Sequence, residues 1–447
     1  MSGIAGIAQP GQRDRVEQML TRIAHRGPAG CQTVEVKGNT LGVVWPKPQA
    51  KAAAVLQQGY LALDEAGHGH RAQAQAEPGK IVLRRGPLGV APLYYGYTDD
   101  GALCFASEVK ALLTVTRDVH ELPPGHKFDG DLQPYFQLSK QPPLRDQEPA
   151  PIAKELRSRL AAAVEKRIQD GPAGSWLSGG LDSSTMAALA RPKVKNFHTF
   201  AVGLDGAPDL LHARTVATFI QAEHHEWVVK FSDLLAALPQ VIYHLESFDA
   251  LLVRSSMVNY LVAKMAADYV PMVFSGEGGD ELFAGYSYLK QLDPAVLPDE
   301  LLDITRRLHN TALQRVDRSA SAHGTVAHVA FLDPDVVDYA LRIPVKYKLH
   351  QGVEKWILRQ AVADALPPSV LNRTKAKFWH GAGVGSLFAD YAEDRITETE
   401  FERERVLPNG WKLNSKEELL YYRIFRDHFG DLADLDWMGR TKGAPVS

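Results

Sequence analysis

Cysteine and long apolar segments are scarce in this chain of 447 residues. Its two cysteines, Cys31 and Cys104, are too few for the disulfide scaffold of a secreted domain and are typical of a reducing compartment. No apolar run is long enough to cross a bilayer, and the first residues do not resemble a signal peptide. The sequence therefore predicts a cytoplasmic protein without a membrane partner.

An excess of positive charge is also missing. Lysine and arginine together number 50 against 53 acidic residues, which gives a net charge of −3. Because nucleic-acid binding usually requires a basic face, we expect no nucleic-acid partner. The local group His68, His70 and Arg71 has no further metal ligands near it in the sequence, so we interpret it as a solvated loop.

The chain is longer than one hydrophobic core usually supports, which favours two domains. Short β-like runs separated by glycine and proline indicate a β-rich first domain, and residues 138–151 are interpreted as a linker. Beyond the linker, strand patterns alternate with helical ones, as in a parallel sheet with helices on both faces. We therefore expect an α/β protein with domains at residues 1–145 and 146–447. The strand candidates of the second domain are residues 174–177, 197–202, 226–229 and 272–274.

The segment Leu-Ser-Gly-Gly-Leu-Asp-Ser-Ser at residues 177–184 lacks the lysine of the common ATP-binding loop. It lies between a strand pattern and a helix former, and its adjacent glycines let backbone N–H groups approach an anion. The dipole of the following helix adds to that attraction. Serine hydroxyls and one carboxylate complete a predicted pyrophosphate site, whose members are Ser178, Gly179, Gly180, Asp182, Ser183 and Ser184.

A lysine-free loop that holds pyrophosphate suits cleavage of ATP between its α and β phosphates, with AMP passing to a substrate. Asp182 can hold a Mg²⁺ that bridges phosphate oxygens. We therefore predict ATP and Mg²⁺ as cofactors. The alternative is a simple helix-capping turn, but six specified residues between a strand and a helix rarely coincide.

Several longer motifs, in the same order, resemble the asparagine synthetase family, whose members couple a glutaminase domain to a synthetase domain that cleaves ATP. The resemblance extends over nearly the whole chain. In the second half it comprises the phosphate loop and residues 199–204, 208–210, 224–226, 242–246, 274–283 and 353–359. In the first half it comprises residues 25–28, 92–95, 105–108 and 122–125.

The resemblance implies a fold and an activity. Residues 1–145 would form an Ntn-hydrolase-like, β-rich αββα domain. Residues 146–447 would form an ATP-pyrophosphatase (PP-loop) domain with a parallel sheet and a helical C-terminal part. The protein would be a carbon–nitrogen ligase that forms AMP and pyrophosphate from ATP, a small carboxylic acid and ammonia or a small amine. The oligomeric state stays open, with a homodimer among the alternatives.

The first domain departs from the family pattern at the residues that hydrolyse glutamine. Ser2 stands where the family has a nucleophilic cysteine. Terminal serines act as nucleophiles in related hydrolases, so this change alone is not decisive. The family's glutamine-binding segments, however, have no match between Pro46 and Gly79, and its arginine–aspartate pair is here Arg85-Gly86. We therefore expect no glutaminase activity.

The second domain keeps the residues that the resemblance links to ATP chemistry. Val202 resembles the family's backbone contact to adenine, and Gly276 lets a second loop approach the nucleotide. Asp182 and Asp280 would hold Mg²⁺ and pyrophosphate. Lys355 resembles the lysine that neutralises charge on the adenylate and on the tetrahedral intermediate.

Glu277 distinguishes two branches of the resemblance. Relatives that close a β-lactam ring carry a tyrosine at this loop position, whereas the ammonia-using branch carries glutamate. A carboxylate here can take a proton from an attacking nitrogen. Glu277 therefore favours an intermolecular amine over ring closure.

The residues expected around the acid differ from those of the asparagine branch. Leu251 and Leu252 replace two threonines before Arg254, a side chain suited to gripping a carboxylate. Other polar positions have become aromatic or imidazole side chains, namely His328, Trp379 and His380. We therefore expect an acid that is larger or less polar than aspartate and keeps one anionic group.

Three alternatives stay open. The first is an ordinary asparagine synthetase that acts on aspartate. The second is a ring-closing synthetase of the β-lactam type, which Glu277 disfavours. The third is a non-catalytic paralogue that serves as a binding subunit, which the intact phosphate loop disfavours.

Overall fold

The computed structural model describes residues 2–46, 56–63, 70–144, 148–374 and 378–442, without the side chains of residues 63, 378 and 379. In chain order its N-terminal part contains β1 (Gly3–Ile7), α1 (Arg13–Arg22), β2 (Gly30–Val36), β3 (Asn39–Trp45), β4 (Tyr60–Leu63), β5 (Ala72–Glu77), β6 (Lys80–Arg85), β7 (Tyr94–Tyr97), β8 (Leu103–Ala106), α2 (Val109–Leu112), β9 (His120–Glu121), β10 (His126–Phe128) and β11 (Leu132–Pro134).

These strands form two antiparallel sheets, in the orders β2-β3-β1-β8-β7-β9 and β11-β10-β6-β5-β4. Alternation along the strands assigns their side chains to faces. In β1, Ile4 belongs to the core between the two sheets, whereas Ala5 and Ile7 belong to the core beneath α1. In β5, Ala72 and Ala74 are buried while the intervening glutamine is not. The antiparallel, β-rich first part is therefore as predicted.

The C-terminal part contains, in chain order, α3 (Pro149–Glu165), β12 (Ala173–Trp176), α4 (Leu181–Ala190), β13 (Phe197–Leu204), α5 (Pro208–Phe219), β14 (Glu223–Val229), α6 (Phe231–Leu245), α7 (Ala250–Ala267), β15 (Met272–Phe274), α8 (Gly279–Phe283), α9 (Leu297–Arg306), α10 (Ala312–Ser321), β16 (Val326–His328), α11 (Pro334–Arg342), α12 (Val345–Lys348), β17 (Leu349–His350), β18 (Val353–Glu354), α13 (Trp356–Ala361), α14 (Pro368–Leu371), α15 (Phe378–Gly381), α16 (Leu387–Glu393), α17 (Glu398–Glu404) and α18 (Lys416–Phe429).

The central sheet of this part has the order β14-β13-β12-β15-β16, and every pairing in it is parallel. The chain moves outward from β12 to β14 on one side, and then returns to build β15 and β16 on the other. The loops after β12 and β15 therefore diverge at a topological switch point, where open α/β sheets bind their ligands. The parallel sheet confirms the predicted fold class.

The element boundaries differ slightly from those that the sequence predicts. The helix α3 begins at Pro149, inside the predicted linker, because proline is well suited to the first helical position. The strand β14 begins three residues earlier than predicted, at Glu223. No helix among the described residues is long and apolar enough to cross a membrane.

The two parts share one continuous hydrophobic core. It joins side chains on the helix-covered face of the first sheet with side chains of the parallel sheet and its helices. Tyr94 meets Trp437 edge to face, with ring centroids 6.4 Å apart. Arg318 of α10 lies over the ring of Tyr94 at 5.8 Å. The N-terminal part is thus packed against the C-terminal one.

Candidate active site

The phosphate loop connects β12 to α4 and is held in shape by its own serines. Ser178 Oγ lies 3.1 Å from Ser183 Oγ and accepts a hydrogen bond from the N–H of Gly180 at 3.3 Å. Ser184 is buried in the first turn of α4, where its N–H donates to the carbonyl of Gly180. The N-terminus of this ten-residue helix points its partial positive charge at the loop.

Glycine is required at two points of the site. Gly179 has a φ of +67°, and a Cβ there would lie 2.3 Å from the Cβ of His212. A Cβ on Gly276, in the loop after β15, would lie 2.7 Å from the backbone nitrogen of Ser183. The two loops therefore meet more closely than any side chain would allow.

Lys355 lies between the two aspartates predicted to bind metal. Its buried ammonium contacts the carboxylate of Asp182 and lies 2.6 Å from Asp280 Oδ1. The backbone of Lys355 is left-handed, with a φ of 54°, at the residue before α13. Two carboxylates thus converge on one cation, and carboxylate oxygens are also the ligands that Mg²⁺ prefers.

A cleft open to solvent lies beside the loop. The predicted residues Ser178, Gly180, Asp182, Ser183 and Lys355 line it. It is also lined by residues to which the sequence analysis gave no role: Leu181, Asp209, Glu354, Arg359, Arg373 and Thr374. Several of these residues lie in or next to the motifs at 208–210 and 353–359. Those motifs could have identified them as site residues from the sequence.

Arg373 joins three parts of the cleft wall. Its guanidinium donates to the carbonyl of Ser178 at 3.2 Å and to Asp209 Oδ1 at 2.5 Å. Arg359 in turn donates to the carbonyl of Arg373 at 3.2 Å and to Glu354 Oε1 at 2.9 Å. The cleft lining therefore carries two arginine cations, which suits a polyphosphate.

Val202 lies near the carboxyl end of β13 and is buried. The preceding part of the strand is in register with β12, and the N–H of Leu177 donates to the carbonyl of Phe200 at 2.8 Å. Val202 is therefore level with the start of the phosphate loop on the neighbouring strand, where an adenine contact is expected.

The loop after β15 places two glutamates in different surroundings. Glu277 forms an ion pair with Arg315 of α10, a partner that the sequence analysis missed. Glu281 is buried, and Tyr286 donates a hydrogen bond to it. Burial, together with the negative charges of Asp280 and Glu277, raises the pKa of Glu281 to about 7.

The residues expected around the acid lie on separate elements. Leu251 is half-buried at the start of α7, whereas Leu252 is buried in the core. Arg254 forms a two-point ion pair with Glu417 of α18, its Nε lying 3.1 Å from Oε1. Tyr421 donates to the same glutamate at 2.8 Å. The guanidinium of Arg254 thus already binds a buried carboxylate.

His328 ends β16 and is buried beside the second loop, since the N–H of Ser275 donates to its carbonyl at 2.9 Å. His380 is exposed in α15. The side chain of Trp379 lies outside the described residues.

One expectation outside this site is wrong. His70 is buried and not solvated, because its ring lies 3.0 Å from the carbonyl of Leu332 and 3.5 Å from Arg167. Burial lowers the pKa of His70 to about 3. His68 lies outside the described residues.

Comparison with known proteins gives matches over most of the chain. The family model described as "Asparagine synthase" matches residues 155–299 and 298–443, and a "Glutamine amidotransferase domain" model matches residues 72–134. The probable glutamine-hydrolysing asparagine synthetase of Schizosaccharomyces pombe is 35% identical over 78% of this chain and 70% of its own length. Asparagine synthetase B of Escherichia coli K12 is 34% identical over 79% of this chain and 68% of its own length.

The match to asparagine synthetase 2 of Arabidopsis thaliana, also 34% identical, covers 78% of this chain and 65% of that protein. The chain thus spans about two thirds of the length of these relatives. The match to the solved structure of NMN synthetase from Francisella tularensis covers 65% of this chain and 98% of that protein. Its sequence identity is 12% and its TM-score 0.30, too low to compare the folds.

These matches place the chain, with its lysine-free phosphate loop at the switch point of a parallel sheet, among the ATP-dependent carbon–nitrogen ligases that form AMP and pyrophosphate. Within that class, the chain belongs to the asparagine synthase family.

Proposed function

We propose that the protein activates a carboxylic acid with ATP, releases pyrophosphate, and transfers the acyl group from AMP to ammonia or a small amine. The observation that carries the proposal is the cleft lined by the phosphate loop, Asp182 and Lys355, whose buried ammonium also contacts Asp280. The loop would hold pyrophosphate, with Arg359 and Arg373 supplying positive charge to the same cleft.

Mg²⁺ is the ion that these carboxylates fit. We propose that Asp182 and Asp280 hold it, because their oxygens converge on one point and are hard ligands. When bound, the ion would neutralise phosphate charge. Lys355 would then neutralise the charge that develops on the adenylate and on the tetrahedral intermediate.

Glu277 is proposed to take a proton from the attacking nitrogen, with Arg315 orienting its carboxylate. Glu277→Gln should spare ATP–pyrophosphate exchange and slow amide formation by about 10²–10⁴-fold, the usual contribution of a general base. Glu300→Gln, at a half-buried glutamate that bonds Tyr288 and Lys442, is a matched control that should change neither rate. Equal damage to both steps would mean that Glu277 binds substrate or metal.

The nitrogen donor is proposed to be free ammonia or an amine rather than glutamine. Arg85 supports this, because its buried guanidinium donates to the carbonyls of Ala91 and Leu122 and to Glu121, and so is committed to the protein. The relatives named above are described as glutamine-hydrolysing, so the test compares amide-¹⁵N-glutamine with ¹⁵N-ammonium chloride. Label should enter the product only from ammonium. Label from glutamine would contradict the proposal.

The acid is proposed to be larger or less polar than aspartate. Leu251 offers a half-buried apolar surface at the start of α7, and Arg254 is already paired with Glu417. An acid with a second carboxylate would have to share that arginine. Aspartate would lose the hydrogen bonds that the two threonines of the asparagine branch could offer at positions 251 and 252. Each loss would weaken its binding by roughly 1–3 kcal/mol.

ATP–pyrophosphate exchange across a panel of carboxylic acids tests both parts of the proposal. We expect exchange with an apolar or aromatic acid, weaker exchange with aspartate, and none in Asp182→Asn. If no acid in the panel supports exchange, the ligase proposal fails. If aspartate matches or exceeds every other acid, only the statement about the acid fails, and the protein is an asparagine synthetase.

A further inference from the structure

A second cluster of metal-ligating side chains lies on the parallel sheet, at the amino ends of β13 and β14. These are the opposite strand ends from those that lead to the nucleotide loops. His198 and Glu223 are register partners, and His225 follows two residues along β14. Because side chains alternate along a strand, all three project from the same face.

The ligand atoms form a compact triangle. His198 Nδ1 lies 3.0 Å from His225 Nε2. The carboxylate of Glu223 faces both imidazoles, with Oε1 3.5 Å from His225 Nε2 and Oε2 3.7 Å from His198 Nδ1. A tetrahedral zinc ion with bonds of 2.0–2.1 Å needs ligand atoms about 3.3–3.4 Å apart. The distances between the imidazole nitrogens and the nearer carboxylate oxygens bracket that value, so one ion can reach both imidazoles and the carboxylate with small side-chain shifts.

Neighbouring aromatic rings hold the two imidazoles. The ring of Tyr269 lies 3.9 Å from that of His225, and the ring of Phe200 lies 5.2 Å from it on β13. The histidines are mostly buried, whereas the Glu223 side chain is 66% exposed. The site therefore has two fixed ligands, and a third that can close over an ion arriving from solvent.

We propose that His198, His225 and Glu223 bind one divalent transition-metal ion of the zinc type, with water in the remaining position. Imidazole nitrogens select zinc, cobalt, nickel or copper over magnesium, so the site is chemically distinct from the proposed magnesium site. The ion would join the edge strand β14 to β13. A bound ion would stabilise the fold. No step of the proposed ligase reaction depends on this ion, so its role lies beyond the proposed function.

Cobalt spectroscopy on the full chain, without a polyhistidine tag and stripped with chelator, tests the proposal. We expect one equivalent of Co²⁺ to give visible absorption bands of a tetrahedral or five-coordinate site, which Zn²⁺ abolishes by displacement. His225→Asn should remove the bands, and Glu223→Gln should weaken Co²⁺ affinity by at least about 10-fold. Zinc should also raise the thermal unfolding midpoint of the wild-type protein more than that of Glu223→Gln.

His120→Asn is the matched control, because His120 pairs with a single carboxylate, Asp118, at 2.7 Å on the surface. Its cobalt spectrum and affinity should equal those of the wild type. Because the Glu223 side chain is exposed, Glu223→Gln should leave the fold intact. This variant therefore tests the site even if His225→Asn fails to fold. Absence of cobalt bands in the wild type, or equal affinity in wild type and Glu223→Gln, would show that the histidines form only a hydrogen bond and would overturn the proposal.

Discussion

Lys355 is a buried cation whose position depends on a left-handed backbone. Because its ammonium offsets the charge of Asp182 and Asp280, removing it leaves two neighbouring carboxylates without the positive charge of this lysine. The lysine therefore has a structural role without ligands, in addition to its proposed role in the reaction.

Lys355→Met should lower the thermal unfolding midpoint in the absence of magnesium, and Mg²⁺ should restore more of it than it adds to the wild type. Differential scanning calorimetry with and without Mg²⁺ measures this. Lys290→Met, at a lysine that pairs with Glu354 at 2.6 Å but is one-third exposed, should show no such magnesium dependence. Equal responses of Lys355→Met and wild type would contradict a metal site between the aspartates.

Glu281 gives a pH dependence of stability. The pKa of Glu281 is raised to about 7 in the folded state, because the buried site favours the neutral carboxyl. The stability of the fold is therefore highest below the unfolded pKa of 4.5, and it falls as pH rises through 7. Glu281→Gln should therefore be more stable than the wild type at pH 8 by roughly 2–3 kcal/mol, and equal to it near pH 4.5. Urea unfolding at both pH values tests this, and a constant difference would contradict it.

At the scale of elements, α10 connects the two parts of the protein. Arg315 on this helix pairs with Glu277 in the second loop. Two residues further on, Asp317 forms a two-point ion pair with Arg26, which also pairs with Glu108 of the N-terminal part. Arg26 and Asp317 are buried, so the N-terminal part holds the helix that positions Glu277.

Asp317→Asn should destabilise the protein by about 3–5 kcal/mol, because it removes one of the two buried carboxylates that pair with Arg26. It should also slow amide formation more than pyrophosphate exchange, through displacement of Arg315. Asp303→Asn is the control, since its pairs with Arg307 and Lys442 are exposed and contribute less than about 1 kcal/mol. Equal effects of the two substitutions would contradict the connection.

At the scale of the whole molecule, sequence patterns among neighbouring residues predicted the fold well, but they did not predict which charged side chains pair with each other. The strand–loop–helix at 177–184 and the alternation that follows it depend on neighbouring residues, and the structure confirms both. The partner of Arg254 lies 163 residues away, and that of Glu277 lies 38 away. Such pairs follow from tertiary packing, which one sequence does not encode locally, so Glu417 and Arg315 were missed.

The shared core predicts that the C-terminal part is not independent. A protein beginning at Pro149 should be insoluble or should unfold at a much lower temperature, because apolar side chains now covered by the first sheet and its helices would meet water. Solubility and calorimetry measure this. A soluble truncated protein with full exchange activity would show that the N-terminal part is dispensable.

The continuous core also limits which residues of the first part can be substituted or deleted during evolution. A domain without glutaminase activity, as proposed here for the first part, is usually open to deletion, but its interior is continuous with the core of the second part. Codons for Arg26, Glu108 and Tyr94 would stay under selection with no substrate to recognise. If the proposed absence of glutaminase activity holds, the surface loops of the first part would drift while the core beneath them would not, and this part would be preserved as a scaffold.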